Sequence, residues 1–569
     1  MPKAKTQPTN RPDGLRTHME YFEGSLFEAV EQTAQRFPNN IACDFMGRSI
    51  TYKKLIQRIE TCAGALRALG IGEGDRVTIA LPNCPQAVCM FYAVNLVGAI
   101  ANMVHPLSAE KELAFYLKQA ESTVAVTLKQ LCPGFEAVCP NTGLKTILSV
   151  NLGDILPFYA HGFGLLRKKA NGSNRTSVIG WHSFLRLGRQ HPCTHRTKRS
   201  GNQPAVILYS GGTTGVTKGI LLSNKNFNAL SQQIVSANPM FRPGDKMLAA
   251  LPMFHGFGLG VCIHTMLAHG GRCILLPRLI PKKFAKALVK SRCNFIAGVP
   301  TLYEALLQLP HMEKADLSCL KGVFSGGDSL SPRLKARLDQ FLKDRNAAVQ
   351  VREGYGTTET VTACCLTPEQ VYRQGSIGLP FADNYIKIID PNTQNELPCG
   401  ETGEIWMAGP TVMLGYLHHP EETARTLIDR SDSRKWVRTG DLGSMDSDGF
   451  VYFKGRIKRM IVSSGYNIYP AQLENVLNEH PYVQTSCVIG LPDAYKMQKP
   501  KAFVKLSEGV PPTEQTRNTL MEHCRKHLAK YALPCEIEFR SQLPTTLVGK
   551  VAYRILEQEE SAKAQPDAR

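Results

Sequence analysis

The sequence predicts an α/β protein: a large N-terminal domain of stacked α/β sheets with a β subdomain, followed by a small α+β C-terminal domain. Three observations lead there. At 569 residues the chain is too long for one typical domain. Short apolar runs such as "RVTIALP", "AVILYSGG", "CNFIAGVP" and "GVFSGG" alternate with helical patterns such as "SPRLKARLDQFLKD". That alternation predicts parallel strands covered by helices, with strands ending in Gly, Ser or Pro where loops gather ligands. From about Ile386 the texture changes to short β-rich runs, "IKIID", "GEIWMAG" and "GFVYFKG", between turn residues. Beyond "GRIKRMI", the runs "YVQTSCVIG" and "KPKAFVKL" and the helix-like "TLMEHCRKHLAKY" predict a compact unit of about 110 residues. The boundary is placed at residues 1–457 and 458–569.

Composition excludes several classes. Hydrophobic residues make up 43% and charged residues 20%, and no internal repeat is visible, which argues against disorder and low complexity. The segments 77–109 and 247–271 carry no Asp, Glu, Lys or Arg. Prolines interrupt both. Pro82, Pro85 and Pro106 divide the first into strand, helix and strand, so core elements are expected rather than spanning helices, which need about 20 uninterrupted apolar residues. The seventeen cysteines include no CxxC pair, and "MPKAKTQPTN" has no apolar signal core, so a cytoplasmic protein is expected. The net charge of +19 is concentrated in residues 155–244, which hold twelve Lys or Arg and no Asp or Glu. Such a face attracts phosphates and anionic membranes. No nucleic-acid partner is expected.

The stretch "YSGGTTGVTKGI" after the apolar run "AVIL" has the chemistry of a phosphate cradle: glycine backbone N–H groups, hydroxyls and one ammonium. It is not a P-loop. Val216 and Thr217 precede Lys218 where a glycine belongs, and Gly219 follows where a metal-binding hydroxyl belongs. Five further elements follow in order: "GVFSGGDSL", "GYGTTE", "RTGDLG", "GRIKRMIVSSGYNIYPAQLE" and "LPTTLVGKVAYR".

Together these six elements resemble the adenylate-forming superfamily, from about Glu28 to Leu556, and within it the bacterial long-chain fatty-acid–CoA ligases. The resemblance implies ATP, Mg²⁺ and coenzyme A as cofactors, with a carboxylic acid activated as acyl-AMP and passed to a thiol. It also implies site roles. Ser210, Gly212, Thr213, Thr214, Gly215 and Lys218 would embrace the β- and γ-phosphates. Gly326, Gly327 and Asp328 would wall the adenine, and Gly354, Tyr355, Gly356, Thr357 and Thr358 would meet the adenine and α-phosphate. Glu359, with Thr213, would hold Mg²⁺ as a hard oxygen ligand. Asp441 would accept both ribose hydroxyls, with Tyr452 and Arg456 nearby. Lys550 would bridge the carboxylate and α-phosphate oxygens as negative charge builds. The C-terminal domain would be mobile about a hinge at Lys458, bringing Ser464 and Gly465 to the pantetheine arm of CoA. Thr217 and Asn224 depart from the family's usual proline and histidine, with a looser loop as the expected consequence.

For the acid, the resemblance places His255 at the carboxylate entrance and implies Phe254, Val299, Pro300 and Tyr303, apolar or aromatic, as candidates for the acyl pocket. No Asp is placed to meet an amino group, so a medium- or long-chain fatty acid is expected. An aryl-acid–CoA ligase and a ligase that loads a carrier-protein thiol are alternatives. A non-enzymatic basic binding protein is disfavoured, because Thr358, Glu359, Asp441, Arg456 and Lys550 are all present. Membrane contact through 155–244, on the inner face, would suit an amphiphilic substrate.

Overall fold

The computed structural model describes residues 16–155, 176–193, 197–210, 217–463, 466–493, 495–546 and 550–563. Two large sheets form the bulk of the chain. One has nine strands, and its consecutive members Arg272–Leu275, Lys246–Ala249, Phe295–Gly298, Gly322–Gly326 and Val351–Tyr355 run parallel. The other has eight strands, with six neighbouring members parallel, from Ser177–Gly180 at one edge through Arg76–Ala80 and Ile100–Met103 to Pro204–Ser210. A single apolar core joins both sheets, running from Leu26 through Phe91 and Leu259 to Met413.

The uncharged segments resolve as their prolines dictate. Strand Arg76–Ala80, helix Pro85–Leu96 and strand Ile100–Met103 form a β-α-β unit, and every residue of that helix is buried. A helix apolar all round belongs inside a packed core. In the second segment, strand Lys246–Ala249 leads through Pro252 and Gly256 into a π-helical stretch, Phe257–His264. Among the described residues no helix is long and apolar enough to cross a membrane.

The β-rich texture after Ile386 becomes a five-stranded sheet. Tyr385–Ile389, Gly403–Ala408, Lys435–Met445 and Leu427–Asp429 pair antiparallel, and Val451–Arg456 joins beside Lys435–Met445. A fourth sheet follows, built on the long hairpin Val483–Asp493 and Met497–Leu506, with Glu536–Phe539 parallel to its second arm. Helices Pro470–Glu479 and Glu514–His527 cover it, closing a core of its own around Leu473, Val504 and Leu520.

The parallel strands of the nine-stranded sheet place their carboxyl ends side by side. The loops after Ala249, Gly298, Gly326 and Tyr355 therefore open on one crevice, the usual ligand position in α/β sheets.

Candidate functional site

That crevice widens into a cavity of about 1530 Å³ between the nine-stranded sheet, the β subdomain and the C-terminal unit. Its wall brings together Ser210, Lys218, Phe254, His255, Pro300, Gly326, Gly327, Asp328, Gly354, Tyr355, Gly356, Thr357, Thr358, Glu359, Asp441, Arg456, Lys458 and Lys550. These residues come from across 340 positions of sequence. Gly212, Thr213, Thr214, Gly215, Ser464 and Gly465 lie outside the described residues.

Local structure explains the placements. Gly327 follows its strand at φ +84°, and a Cβ added there would come within 3.3 Å of Lys550 Cε. A side chain at Gly327 would crowd the lysine, so glycine serves close approach here. Lys550 itself is bonded back to Thr546: its N–H donates to Thr546 Oγ1 at 3.1 Å and its carbonyl accepts from Thr546 N at 2.7 Å. Its side chain lines the cavity beside Gly327. Burial there lowers its pKa, with Arg456 adding to the effect and Asp328 and Asp441 opposing it.

Asp441 sits opposite. Tyr355 Oη donates to its Oδ2 at 2.7 Å, and Arg456 Nε stands 3.2 Å from Oδ1. The Arg456 contact is an ion pair out of hydrogen-bond alignment, for Oδ1 is buried with no hydrogen-bond partner among the described residues. Burial raises the Asp441 pKa, and Arg456 and Tyr355 oppose the rise. An orphaned carboxylate oxygen facing a cavity is an acceptor prepared for a ligand donor.

Asp441 lies in strand Lys435–Met445, at an irregularity in its pairing that Glu404 holds. The Glu404 carboxylate, 2% exposed, accepts from Gly440 N at 3.0 Å, Arg438 Nε at 3.2 Å and Trp406 Nε1 at 2.9 Å. Glu404 was not among the residues expected from sequence. Its signal was a single charge in the otherwise apolar run "GEIWMAG".

Glu359 lies in the short 3₁₀ turn Thr358–Thr360. Tyr416 Oη donates to its Oε1 at 2.9 Å, and its carbonyl accepts from Met413 N at 2.8 Å. Immediately after it, Val361 adopts φ +66°, ψ −56°, and Thr362 N donates to Thr360 O at 2.8 Å. This is a strained γ-turn at a β-branched residue, of the kind retained where neighbouring structure fixes a site. Val361 is fully buried, and its carbonyl occupies the space a Cβ on Gly256 would need.

Lys218 pairs with Glu422, and its ammonium lies 4.9 Å from the Tyr416 ring centroid. Burial lowers its pKa, with Lys458 adding and Glu359 opposing. Lys218, Glu359, Tyr416 and Lys458 thus converge at one end of the cavity, beside the end of strand Pro204–Ser210 that leads into the glycine-rich loop.

His255 Nδ1 accepts from Phe257 N at 3.2 Å. Burial, with Lys550 nearby, depresses its pKa to about 3, so the ring is neutral near pH 7. Phe254 packs edge-on to His105 at 4.6 Å between ring centroids. Three expected residues are not on the wall. Val299 and Tyr303 belong to the core behind it, where Tyr303 Oη donates to Phe324 O at 2.6 Å and Val299 backs Gly327. Tyr452 Oη donates to Asp446 Oδ2 at 3.0 Å, towards the far end of its strand from Arg456.

The site fits a nucleotide with a divalent cation. Asp441 Oδ1 and Ser325 Oγ are buried without hydrogen-bond partners among the described residues, glycines open the wall, and Lys218, Lys458 and Lys550 line the cavity. Among the described residues no three His, Cys, Asp or Glu side chains are grouped to hold a metal. A hard cation at Glu359 would draw its other ligands from hydroxyl and phosphate oxygens and water.

Comparison with known proteins agrees with this geometry. The AMP-binding enzyme family matches residues 30–417, and the AMP-binding enzyme C-terminal domain matches residues 472–550. The chain is similar to a long-chain-fatty-acid–CoA ligase of Bacillus subtilis, at 33% identity over 94% of this chain and 95% of that protein. It is also similar to one of Yersinia pestis, at 32% identity over 96% of each. Among solved structures, the anthranilate CoA ligase AuaEII in complex with anthranoyl-AMP superposes with a TM-score of 0.83 at 25% identity, over 96% of this chain and 98% of that one. ATP-bound MatB from Rhodopseudomonas palustris superposes at 0.80 with 27% identity, over 95% and 99%. The chain belongs to the AMP-binding enzyme family.

Proposed function

We propose that the protein is an ATP-dependent acid–CoA ligase acting on a straight-chain fatty acid. In the first half-reaction the carboxylate oxygen bonds to the α-phosphorus of ATP and the bond to pyrophosphate breaks. In the second, the CoA thiol attacks the acyl carbon and AMP leaves with the C–O bonding pair. The observation that carries this reading is Lys550, delivered from the C-terminal unit into the cavity against Gly327 and across from Asp441.

Two anions must meet in the first step, so the protein's task is to neutralise and align them. Lys550 supplies positive charge between the carboxylate and the α-phosphate. Asp441 Oδ1 takes a ribose hydroxyl, with Tyr355 and Arg456 fixing the carboxylate. Lys218 and Thr358 meet phosphate oxygens, so the Lys218–Glu422 pair opens when the nucleotide binds. Glu359 would hold Mg²⁺, which supplies further charge neutralisation when bound. His255, neutral and anchored through Nδ1, is a shaped wall at the carboxylate entrance rather than a proton carrier.

Transfer to CoA needs Lys550 to withdraw. Residues 458–569 are proposed to turn as a unit about Lys458, relative to residues 1–457. Lys458 lies in the 3₁₀ turn Ile457–Arg459, directly after the last strand of the β subdomain. The cavity wall extends to Phe257, Val261, Ile234 and Phe381, an apolar lining that supports a hydrocarbon chain. The basic charge of 155–244 supports reversible contact with an anionic membrane from the cytoplasmic side.

The test is pyrophosphate release across straight-chain and aromatic acids, with and without CoA. The reading predicts release with fatty acids and acyl-CoA as product. Release only with aromatic acids, or acyl-AMP accumulating despite CoA, contradicts it.

A further inference from the structure

The deep arm of the cavity has a built end. Its walls are apolar, with Phe257, Val261, Phe324, Leu366, Ile377 and Phe381, until it meets Ile234 and Asn238 at the end of helix Asn224–Ser236. Asn238 is 5% exposed, and both ends of its amide are engaged. Its Nδ2 donates to Ile234 O at 2.6 Å, and its Oδ1 accepts from Arg352 Nη1 at 2.7 Å. Arg352, 6% exposed, is held in turn: Nε donates to Thr367 O at 2.7 Å and Nη2 to Ala237 O at 3.1 Å.

Strand register gives the depth. Gly354 pairs with Gly326 at the mouth, and Arg352 pairs with Phe324 two residues further in, about 7 Å deeper at ~3.3 Å per residue. Behind the pair is a small recess of about 20 Å³, lined by Gln233, Ser236 and Arg352. Leu366 and Phe381 face both spaces, so the partition between them is thin.

We propose that the Asn238–Arg352 pair is the stop at the blind end of the acyl arm and sets the longest straight-chain acid the protein activates. The proposal rests on the ligase reading above. An alkyl terminus that reached the pair would have to part a buried amide from a buried guanidinium and leave both without partners, which hydrocarbon cannot compensate. The same bonds anchor the last carbonyls of helix Asn224–Ser236, so the stop cannot swing aside without fraying a helix end. Ile234, in the last turn of the helix, lines the cavity beside Asn238, whose Nδ2 donates to its carbonyl, and meets the chain next to the stop.

The experiment measures ATP–pyrophosphate exchange, as kcat/KM, over a homologous series of straight-chain acids for the wild type, Asn238→Ala and Ile234→Phe, with a thermal melt for each variant. Asn238→Ala joins the arm to the recess, and acids beyond the wild-type limit gain roughly tenfold relative to shorter ones. Ile234→Phe fills the space before the stop and removes the longest acids while sparing short ones. A folded Asn238→Ala with an unchanged length limit overturns the proposal. If that variant does not fold, an unchanged limit in Ile234→Phe overturns it. If the wild type exchanges with no acid of any length, the ligase reading itself falls, a result distinct from an unshifted profile.

Discussion

Asp441 shows how much chemistry one residue position holds. Its carboxylate is buried, fixed on one oxygen by Tyr355 and faced on the other by Arg456, yet Oδ1 keeps an unused acceptor. Charge-assisted hydrogen bonds are worth about 1.5–3 kcal/mol. Asp441→Asn is therefore expected to lower kcat/KM for ATP by roughly 10- to 150-fold with little change in the KM for the acid, measured by initial rates of pyrophosphate release. Equal effects on both substrates would place Asp441 elsewhere in the reaction. In sequence this residue was a Thr-Gly-Asp turn that gained meaning only beside five other elements. Glu404, which holds the strand irregularity beside Asp441, stayed hidden because its role is to bond three donors that are brought together in the folded sheet.

At the scale of elements, hydrophobic alternation located the strands well and the cavity wall less well. Val299 and Tyr303 are apolar and sit after a strand, as a pocket residue would, but periodicity does not distinguish a side chain facing a void from one packed behind it. Tyr452 was placed with Arg456 by proximity in sequence. Four residues of strand separate them by about 13 Å at ~3.3 Å each, enough to put Tyr452 on Asp446 instead. The hairpin Val483–Asp493 and Met497–Leu506 carries a local conflict, for Met497 has φ +67° and is 67% exposed at the start of the second arm. A left-handed backbone costs a non-glycine residue about 1–2 kcal/mol. Met497→Gly is expected to stabilise the protein by about 1 kcal/mol, read as a raised denaturation midpoint at unchanged slope, with turnover unaffected. A lowered midpoint would mean that the methionine packs productively.

For the whole molecule, the two-domain plan was legible because turn-rich β runs separate two blocks with their own strands and helices. How the blocks meet was not, since no sequence signal marks a contact between distant surfaces. Arg333, at the start of helix Pro332–Lys343, donates to His480 O at 2.5 Å and reaches Asn478 O at 3.4 Å, at the carboxyl end of helix Pro470–Glu479 in the C-terminal unit. Helix-end carbonyls carry partial negative charge and favour a cation. This contact belongs to the arrangement in which Lys550 occupies the cavity. Arg333→Ala is therefore expected to slow acyl-AMP formation several-fold while leaving thioester formation from supplied acyl-AMP unchanged, and an equal loss in both would assign the contact to stability alone.

The central claim is that Lys550 acts in joining acid to nucleotide and stands aside in the transfer to CoA. Lys550→Ala, with the two half-reactions assayed separately, tests it most directly. The account predicts that ATP–pyrophosphate exchange is nearly abolished while acyl-CoA formation from supplied acyl-AMP proceeds close to the wild-type rate. Exchange that survives, or both half-reactions lost together, would contradict it.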